Sequence, residues 1–470
     1  MARIETDVCV IGGGSGGLSV ASGAVQMGAR VVLLEGGAMG GDCLNHGCVP
    51  SKSLLAAAGR AQAMAGGLGV AGVTPEVDFA AVKDHVDAVI ADIAPHDSVE
   101  RFEGLGVRVI GDFGQFISPT VVRAGDAEIV ARRFVIATGS RPMLPPIPGL
   151  DSVDYLTNET IFALRTPPAH LVILGGGPIG CEMAQAHRRL GCDVTVIEAA
   201  RMLGRDDPEL AAVVRDALCT EGVEIIEDCA ASQVRGAQGA VSVALADGRE
   251  IEGSHLLVAL GRRPALEGLG LEAAGIARDG TGVRVDRRLR STNRRVHAIG
   301  DAAGQGQFTH LAGYQAGIVI RAMVFGLPAR TRDDHIPRVS YTDPELAQVG
   351  LTEAEARAQH GDRIEVVRAE YGDNDRARAE GRTEGLIKVI VLRGRPIGAG
   401  IAGARAGELI GVWALALAAR LRMSAIAGMV APYPTLSEIS KRAAGAYFSP
   451  RLFGNTRIKR VVGLVQRFLP

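Results

Sequence analysis

The chain has 470 residues, of which 47% are hydrophobic and 22% charged, and a chain of this size forms about three domains with buried cores. Its 51 basic and 52 acidic residues give a net charge of -1, so it lacks the positive excess of proteins that bind nucleic acid. Seven cysteines show no regular framework of pairs, and the N-terminus leads directly into an apolar strand. We therefore expect a cytoplasmic protein without a nucleic-acid partner.

The first predicted unit is a strand, a glycine-rich turn, a helix and a second strand, in "DVCVIGGGSGGLSVASGAVQMGARVVLLEGG". The turn has the spacing Gly12-x-Gly14-x-x-Gly17, and the second strand ends at Glu35. In dinucleotide-binding units such glycines let a pyrophosphate approach the helix N-terminus, and the acid accepts hydrogen bonds from ribose. The sequence therefore predicts a nucleotide site at these four residues.

Two cysteines, Cys43 and Cys48, follow in "GGDCLNHGCVPSK". Such a pair could form a metal clip, a structural crosslink or a redox pair. Zinc needs four ligands, and Cys181 and Cys192, near another turn, have no CxxC partner. Closing so short a loop would stabilise the fold little. A regular helix would place the two Cα atoms about 7.5 Å apart along its axis, beyond the disulfide range of about 4.4–6.8 Å. A redox pair without metal is favoured, because a strained disulfide is readily reduced and Gly47 can absorb the distortion.

A second unit of the same kind occupies "HLVILGGGPIGCEMAQAHRRLGCDVTVIEAARML". It contains Gly175-x-Gly177-x-x-Gly180 and a strand that ends at Glu198, so we expect a second nucleotide. A carboxylate at Glu198 would accept a hydrogen bond from a free ribose 2′-hydroxyl and would repel a 2′-phosphate, which favours NADH over NADPH. Arg201, close by in the sequence, opposes this preference.

Three further apolar strands end in glycine turns, in "FVIATGSRP", "LLVALGRRP" and "VHAIGDAAG". Open parallel sheets bind ligands at the carboxyl ends of their strands. Thr138, Gly139 and Gly261 are therefore candidate cofactor contacts. Asp301, in the third turn, is expected to hold sugar hydroxyls of a second section of the cofactor.

The C-terminal part contains two apolar patterns. Residues 409–430 are predicted to form a buried helix, because Arg420 and Arg422 would be costly in a bilayer. In the tail, 448–470, apolar residues recur at helical spacing among basic ones. We expect this tail to pack on a dimer, with contact to a membrane surface as the less favoured alternative. The apolar positions are Ile458, Val461, Val462, Val465 and Leu469.

The order of these motifs, completed by "YTDPELAQVG" and "PYPTLSE", resembles the class I pyridine nucleotide-disulfide oxidoreductases, which include dihydrolipoamide dehydrogenase and mercuric reductase. The resemblance implies an α/β fold with two Rossmann-like domains and a C-terminal α+β interface domain that forms a homodimer. The implied boundaries are 1–148 and 266–335 for an FAD domain, 149–265 for an NAD domain and 336–447 for the interface domain.

The same resemblance implies roles for the residues around the thiols. Cys48 would face the flavin as a thiolate, and Cys43 would be the interchange thiol that attacks the substrate. Lys52 would lie near flavin N5, with Glu182 as its ion-pair partner. A positive charge there would stabilise the anion of the reduced ring. We therefore expect electrons to pass between NAD(H), FAD and the Cys43–Cys48 disulfide.

The substrate is less determined, because the C-terminal motif departs from that of the lipoamide enzymes. Tyr433 stands where they carry a histidine base, and Glu438 stands where a glutamate orients it, each completing the active site of the other subunit. A phenol with an ordinary pKa of about 10 is a poor base at neutral pH. Mercuric reductases have a tyrosine there but also a C-terminal cysteine pair, whereas the last cysteine here is Cys229. A small disulfide or dithiol, a soft metal ion, and a weakly catalytic flavin-binding subunit of an assembly all stay open.

Overall fold

The structure, a computed structural model, describes residues 2–237 and 239–468. Its first part forms most of a mixed sheet flanked by helices. The elements are β1 (Ala2–Ile11), α1 (Ser15–Gln26), β2 (Val31–Leu34), α2 (Gly41–Asn45), α3 (Cys48–Ala63), α4 (Phe79–Ile93), α5 (Val99–Gly104), β3 (Arg108–Ile110), β4 (Gln115–Ser118), β5 (Val121–Ala124), β6 (Ala127–Ile136) and β7 (Ser140–Pro142).

The next part forms a second, smaller sheet in the order β10-β9-β8-β14, with all neighbours parallel. An antiparallel sheet, β11-β12-β13, lies beside it, and β15 pairs with β7 of the first part. The elements are β8 (His170–Leu174), α6 (Pro178–Arg189), β9 (Asp193–Ile197), α7 (Pro208–Thr220), β10 (Glu224–Ile226), β11 (Ala231–Ala237), β12 (Ala240–Leu245), β13 (Glu250–Gly253), β14 (His255–Val258) and β15 (Arg262–Pro264).

The chain then returns to the first sheet. Strand β16 (Val296–Ala298) pairs in parallel with β6, and helix α8 (Thr309–Met323) packs against α1. The completed sheet has the order β3-β2-β1-β6-β5-β4, with β16 joined at β6. Strand β2, Val31–Leu34, is a continuous apolar run that is buried on both faces, as a covered parallel strand requires. The smaller sheet is thus inserted between two segments of the larger one, and the predicted α/β class is confirmed.

The C-terminal part is an antiparallel sheet in the order β17-β18-β21-β20-β19, covered by helices around the buried Trp413. The elements are β17 (Arg338–Ser340), β18 (Glu345–Gly350), α9 (Glu353–His360), β19 (Ile364–Glu370), α10 (Asp375–Ala379), β20 (Leu386–Leu392), β21 (Arg395–Gly403), α11 (Ala406–Leu409), α12 (Gly411–Ala418), α13 (Met423–Ala427), α14 (Glu438–Phe453) and α15 (Thr456–Phe468).

The prediction of one buried helix over 409–430 is wrong. Helices α11, α12 and α13 share this stretch, and Arg420 stands between the last two with φ +53°. A left-handed residue ends an α-helix because the next peptide can no longer follow its path. Leu415 and Val430 are 63% and 88% exposed, so the stretch is only partly buried. Among the described residues, no helix is long and apolar enough to cross a membrane.

A buried ion cluster joins the smaller parallel sheet's unit to the C-terminal sheet. The ammonium group of Lys388, on β20, lies 2.9 Å from carboxylate oxygens of Asp207 and Glu209 and 2.8 Å from one of Glu353. Lys388 is only 5% exposed. Because an unpaired buried charge costs about 3–5 kcal/mol, the cluster holds α7 and its sheet in one position against β20.

Candidate active site

The two cysteines lie on either side of a helix break. Cys43 is in α2 and Cys48 is the first residue of α3, with Gly47 between the helices. A Cβ atom on Gly47 would lie 2.9 Å from a carboxylate oxygen of Asp42 and 3.3 Å from the Cα atom of Cys43. The tight approach of the two helices therefore requires glycine. The break agrees with the expectation that the pair does not suit a regular helix, and both thiols are free in this structure.

The two thiols differ in acidity. The hydrogen bond with Cys43, the hydroxyl of Thr309 and the charge of Lys52 together lower the pKa of Cys48 to about 6, against the opposing effects of burial and of Asp42. The Sγ atom of Cys48 is 3.4 Å from the Thr309 Oγ1 atom. The hydrogen bond with Cys48 and burial raise the pKa of Cys43. At neutral pH, Cys48 is thus the thiolate and Cys43 the protonated thiol that hydrogen-bonds to it.

Lys52 is held one turn beyond Cys48 by a buried carboxylate. Its Nζ atom lies 2.8 Å from Oε2 of Glu182 on α6 and 4.4 Å from the ring centre of Tyr341. The other oxygen of Glu182 accepts a hydrogen bond of 2.9 Å from the backbone N–H of Tyr341. Glu182 is 5% exposed. The contact between Lys52 and Glu182 that the resemblance implied is therefore present. The contacts of Tyr341 with both residues were not predicted.

The first glycine turn has the geometry of a nucleotide cradle. Gly12 has φ +109°, and a Cβ atom there would lie 2.4 Å from a backbone oxygen. A Cβ atom on Gly17 would lie 1.8 Å from the carbonyl oxygen of Gly12, so α1 packs directly on the turn. The carboxylate of Glu35 accepts hydrogen bonds from the N–H groups of Gly13 and Gly37. The acid is thereby fixed at the end of β2, beside the turn.

The second glycine turn repeats this geometry. Gly175 also has φ +109°, and Cβ atoms on Gly175 and Gly180 would lie 2.5 Å and 1.9 Å from backbone oxygens. Glu198 accepts hydrogen bonds of 2.7 Å and 2.9 Å from the N–H groups of Gly176 and Ala200. The same local constraints have thus produced two equivalent cradles, one in each parallel sheet.

Both cradles leave helix N-terminal N–H groups available to an anion. Gly14 and Gly177 are the N-cap residues of α1 and α6, and neither helix has a side-chain cap. The free N–H groups and the helix dipole at such ends bind phosphate. The residues present therefore fit two nucleotide cofactors.

The strand ends of the first sheet also fit a cofactor. The hydroxyl of Thr138 is buried and lacks a hydrogen-bond partner in the described part of the chain, and such a group requires a partner. Gly139, which follows, has φ +69°. Asp301 accepts a hydrogen bond from Ser140, whose hydroxyl accepts one of 2.8 Å from Arg262. Burial raises the pKa of Asp301. These groups lie together at the carboxyl ends of β6 and β16, as predicted for Thr138, Gly139 and Asp301.

Arg262 connects this edge to the redox segment, which the sequence did not predict. Its guanidinium group lies 3.1 Å from the carboxylate of Asp42, beside Cys43. The side chain of Asn158 donates hydrogen bonds to the same carboxylate and to the carbonyl oxygen of His46. Gly261, a predicted cofactor contact, precedes Arg262 with φ +112°. The sequence "GRRP" indicated the turn that contains Arg262, but it gave no sign that Arg262 would contact Asp42.

The C-terminal motif lies on another surface. Tyr433 is 72% exposed and donates a hydrogen bond of 3.1 Å to Asp375, which raises the pKa of the phenol. Asn374 caps α10 and donates to the carbonyl oxygen of Thr435. Glu438 begins α14. In the described residues, no hydrogen bond links Tyr433 or Glu438 to the thiols of the same chain. Residues 374–381, "NDRARAEG", thus support the Tyr433 segment.

Comparison with known families identifies the family of this chain. Residues 6–316 match the pyridine nucleotide-disulphide oxidoreductase family, and residues 336–444 match the dimerisation domain of the same family. The chain therefore belongs to the pyridine nucleotide-disulphide oxidoreductases, as the motif order predicted. It is a flavoprotein disulfide oxidoreductase of a family that uses FAD and a pyridine nucleotide, and its dimerisation domain supports a homodimer.

Individual relatives carry two different activities. The chain is 34% identical to a mercuric reductase of Streptomyces lividans, over 95% of this chain and 97% of the relative. It is 36% identical to a dihydrolipoyl dehydrogenase of Thermus scotoductus, over 94% of this chain and 97% of the relative. A solved Cu(II) complex of the HOCl-induced flavoprotein disulfide reductase RclA from Escherichia coli has 30% identity and a TM-score of 0.84, covering 93% of this chain and 99% of RclA. The comparisons thus establish the family and leave the substrate open.

The acidity of Cys48 can be measured on the reduced flavoprotein. We predict that the long-wavelength absorbance of a thiolate beside flavin is lost as the pH falls through about 6, because a lowered pKa keeps the thiolate above that pH and protonates it below. Lys52→Met should raise the midpoint, since it removes a charge that favours the thiolate. Lys83→Met, on the adjacent α4, is the control and should leave the midpoint unchanged. A wild-type midpoint of about 8–9, the ordinary thiol range, would contradict this assignment.

Proposed function

We propose that this protein is an NADH-dependent disulfide oxidoreductase that acts on a small disulfide or dithiol through Cys43 and Cys48. The observation that carries the proposal is the asymmetric thiol pair: a Cys48 thiolate at the N-terminus of α3, one turn from the Lys52–Glu182 ion pair. Bound FAD would supply the carrier that accepts hydride from the nicotinamide and delivers two electrons to the disulfide. Structural thiols have no need of a paired lysine beside them.

The protein's own residues then perform thiol–disulfide exchange. Two electrons and two protons convert the Cys43–Cys48 disulfide into two sulfhydryl groups, of which Cys48 ionises. Cys43 passes its proton to the Cys48 thiolate through their hydrogen bond and attacks a sulfur atom of the substrate disulfide, which forms a mixed disulfide and expels one substrate thiolate. That thiolate takes the proton from Cys48 and leaves as a thiol, so that Cys48 is a thiolate again. Cys48 then attacks the Sγ atom of Cys43, releases the second substrate thiol and restores the internal disulfide. Thr309 and Lys52 stabilise the Cys48 thiolate in the reduced state.

We further propose that Tyr433 and Glu438 of one subunit complete the active site of the other. Within one chain Tyr433 lies in the segment that leads into α14 and Glu438 is the first residue of that helix, and the phenol of Tyr433 is exposed, so that it can face a second subunit. Asp375 keeps the phenol neutral by accepting its proton in a hydrogen bond. Such a phenol can donate to or orient a substrate but is a poor base at neutral pH.

A soft metal ion is the second candidate substrate. Mercuric reductases are among the relatives at 31–34% identity. A neutral phenol that the second subunit brings to the two thiols would leave a soft ion to them, since such an ion prefers thiolate ligands. Against this candidate, the chain has no cysteine beyond Cys229 to deliver the ion. Direct assay of turnover with each substrate distinguishes the two candidates.

The first test measures how many electrons the protein stores. Anaerobic titration with NADH should reduce the wild type by more than the two electrons that flavin holds, because the disulfide accepts two more. Cys48→Ser should accept only two and should lose the long-wavelength absorbance while it still binds flavin. Cys219→Ser, at an exposed thiol remote from the motifs, is the control. Uptake of two electrons by the wild type would instead favour a flavin-binding subunit with incidental chemistry.

The second test concerns the choice of nucleotide. We predict a higher kcat/KM with NADH than with NADPH, because Glu198 is fixed at the second cradle while Arg201 is paired with Glu227 and Asp228 at 3.4 Å and 2.9 Å. Glu198→Ala should reduce the NADH/NADPH ratio by about tenfold, as expected for loss of a charged hydrogen bond. Glu224→Ala, one strand away, should leave the ratio unchanged. Equal kcat/KM values for the wild type would contradict the prediction.

The third test concerns Tyr433. We predict that dihydrolipoamide oxidation is slow at neutral pH and rises toward alkaline pH, where the substrate thiol ionises without a base. Tyr433→His should increase the neutral rate, by up to about 10²–10⁴-fold, because Glu438 is placed in the sequence to orient an imidazole. Tyr433→Phe is the control and should not increase it. Hg²⁺-dependent NADH oxidation is measured alongside. A wild-type turnover of about 10 s⁻¹ with dihydrolipoamide would show that the missing histidine is unimportant.

A further inference from the structure

The C-terminal segment has a charge unlike that of the rest of the chain. Glu438 is the last acidic residue, and the net charge of the whole chain is -1. The residues after Glu438 are therefore strongly positive, while the part before them is negative. The basic residues of this segment are Lys441, Arg442, Arg451, Arg457, Lys459, Arg460 and Arg467.

Helix α15 arranges its apolar residues on one side. At about 100° per residue, its six apolar side chains occupy an arc of about 160°. Arg460 and Arg467 border this arc on one side and Lys459 borders it on the other, while Arg457, in the first turn of the helix, falls within it. Three of the apolar residues, Val461, Leu464 and Phe468, are 58%, 55% and 75% exposed. The fifth predicted apolar position of the tail, Leu469, lies outside the described residues. The full apolar set is Ile458, Val461, Val462, Leu464, Val465 and Phe468.

This helix is a separate element. Gly454 and Asn455 interrupt the chain after α14, and the Asn455 side chain accepts hydrogen bonds from the N–H groups of Arg457 and Ile458. None of the described residues of α15 is buried. The match to the family's dimerisation domain ends at residue 444, so α15 lies outside the matched domain. Its apolar arc has no partner within the described part of this chain.

We propose that α15 lies flat on an anionic phospholipid surface and holds the protein there. The apolar arc would enter the boundary between headgroups and acyl chains, while the bordering basic side chains reach the phosphates. A second copy of α15 would bring like charges together, and a nucleic acid would leave the apolar arc in water. Of these three partners, an anionic lipid surface satisfies both features. Packing of the tail on the dimer, the expectation from the sequence, is the competing outcome of the test.

The charge and the dimer both favour this mode of binding. Each basic residue close to an anionic bilayer strengthens binding roughly fivefold, and the apolar arc adds burial of its aliphatic side chains. A homodimer carries two such helices, so the second binds from a high effective concentration once the first has bound. The attachment is peripheral and reversible, since neither α15 nor any other described helix is long enough to span a bilayer.

The test is flotation of the full-length flavoprotein with vesicles at physiological salt. With equal parts phosphatidylglycerol and phosphatidylcholine, the bound fraction should exceed that on pure phosphatidylcholine by at least about tenfold. Val461→Asp/Val465→Asp, in the centre of the apolar arc, should reduce binding by at least about tenfold. Gly463→Asp/Gln466→Asp makes the same change of charge on the opposite face and should retain most of the binding. All variants should keep their flavin content and NADH oxidation.

A chain that ends at Asn455 provides the second measurement. It should remain a dimer by light scattering and should no longer float with anionic vesicles. The proposal is overturned if the full-length protein does not bind anionic vesicles, binds neutral vesicles equally well, or loses binding equally in both double variants. Conversion of the shortened chain into a monomer would also overturn it, because α15 would then be part of the dimer interface.

Discussion

The carboxylate of Glu182 is the constraint on which the site depends. One of its oxygens binds the ammonium group of Lys52 and the other accepts the backbone N–H of Tyr341, so three separate parts of the chain meet on one buried acid. A buried carboxylate is stable only when its charge is paired and its oxygens are hydrogen-bonded. The need to satisfy it fixes α3, and therefore Cys48, relative to both the second nucleotide unit and the C-terminal sheet.

The thiol pair shows how a small backbone feature sets chemical roles. Because Gly47 lets α2 end directly against α3, Cys48 begins a helix while Cys43 lies inside the short helix that precedes it. The helix N-terminus, Thr309 and Lys52 all favour negative charge at Cys48. Cys43 keeps its proton, which it donates in a hydrogen bond to Cys48. Two residues of the same type thus acquire opposite protonation states from position alone. The assignment that the family resemblance implied has a physical basis in this chain.

The C-terminal side of the site differs from the thiol side in how it is supported. Asp375 holds the phenol of Tyr433 through a single hydrogen bond at an exposed surface, and the buried Asn374 holds only the backbone of Thr435, whereas Lys52 is held by a buried charge. Exposed hydrogen bonds contribute little stability and are replaced easily by water. We infer that the second subunit, rather than the chain itself, determines the final position of the phenol. Substrate choice would then be a property of the dimer.

The sequence by itself determined the two nucleotide cradles and the redox pair. Gly12 and Gly175 have a φ of +109°, and each helix packs on its turn so closely that no Cβ atom fits between them. These steric requirements are local, so they fix glycines at a spacing that can be recognised in the sequence. Only the tertiary structure decided the contacts of Arg262 with Asp42 and of Tyr433 with Asp375, and the break of the predicted C-terminal helix near Arg420. These depend on pairing and burial between residues that are distant in sequence, for which spacing along the chain carries no signal.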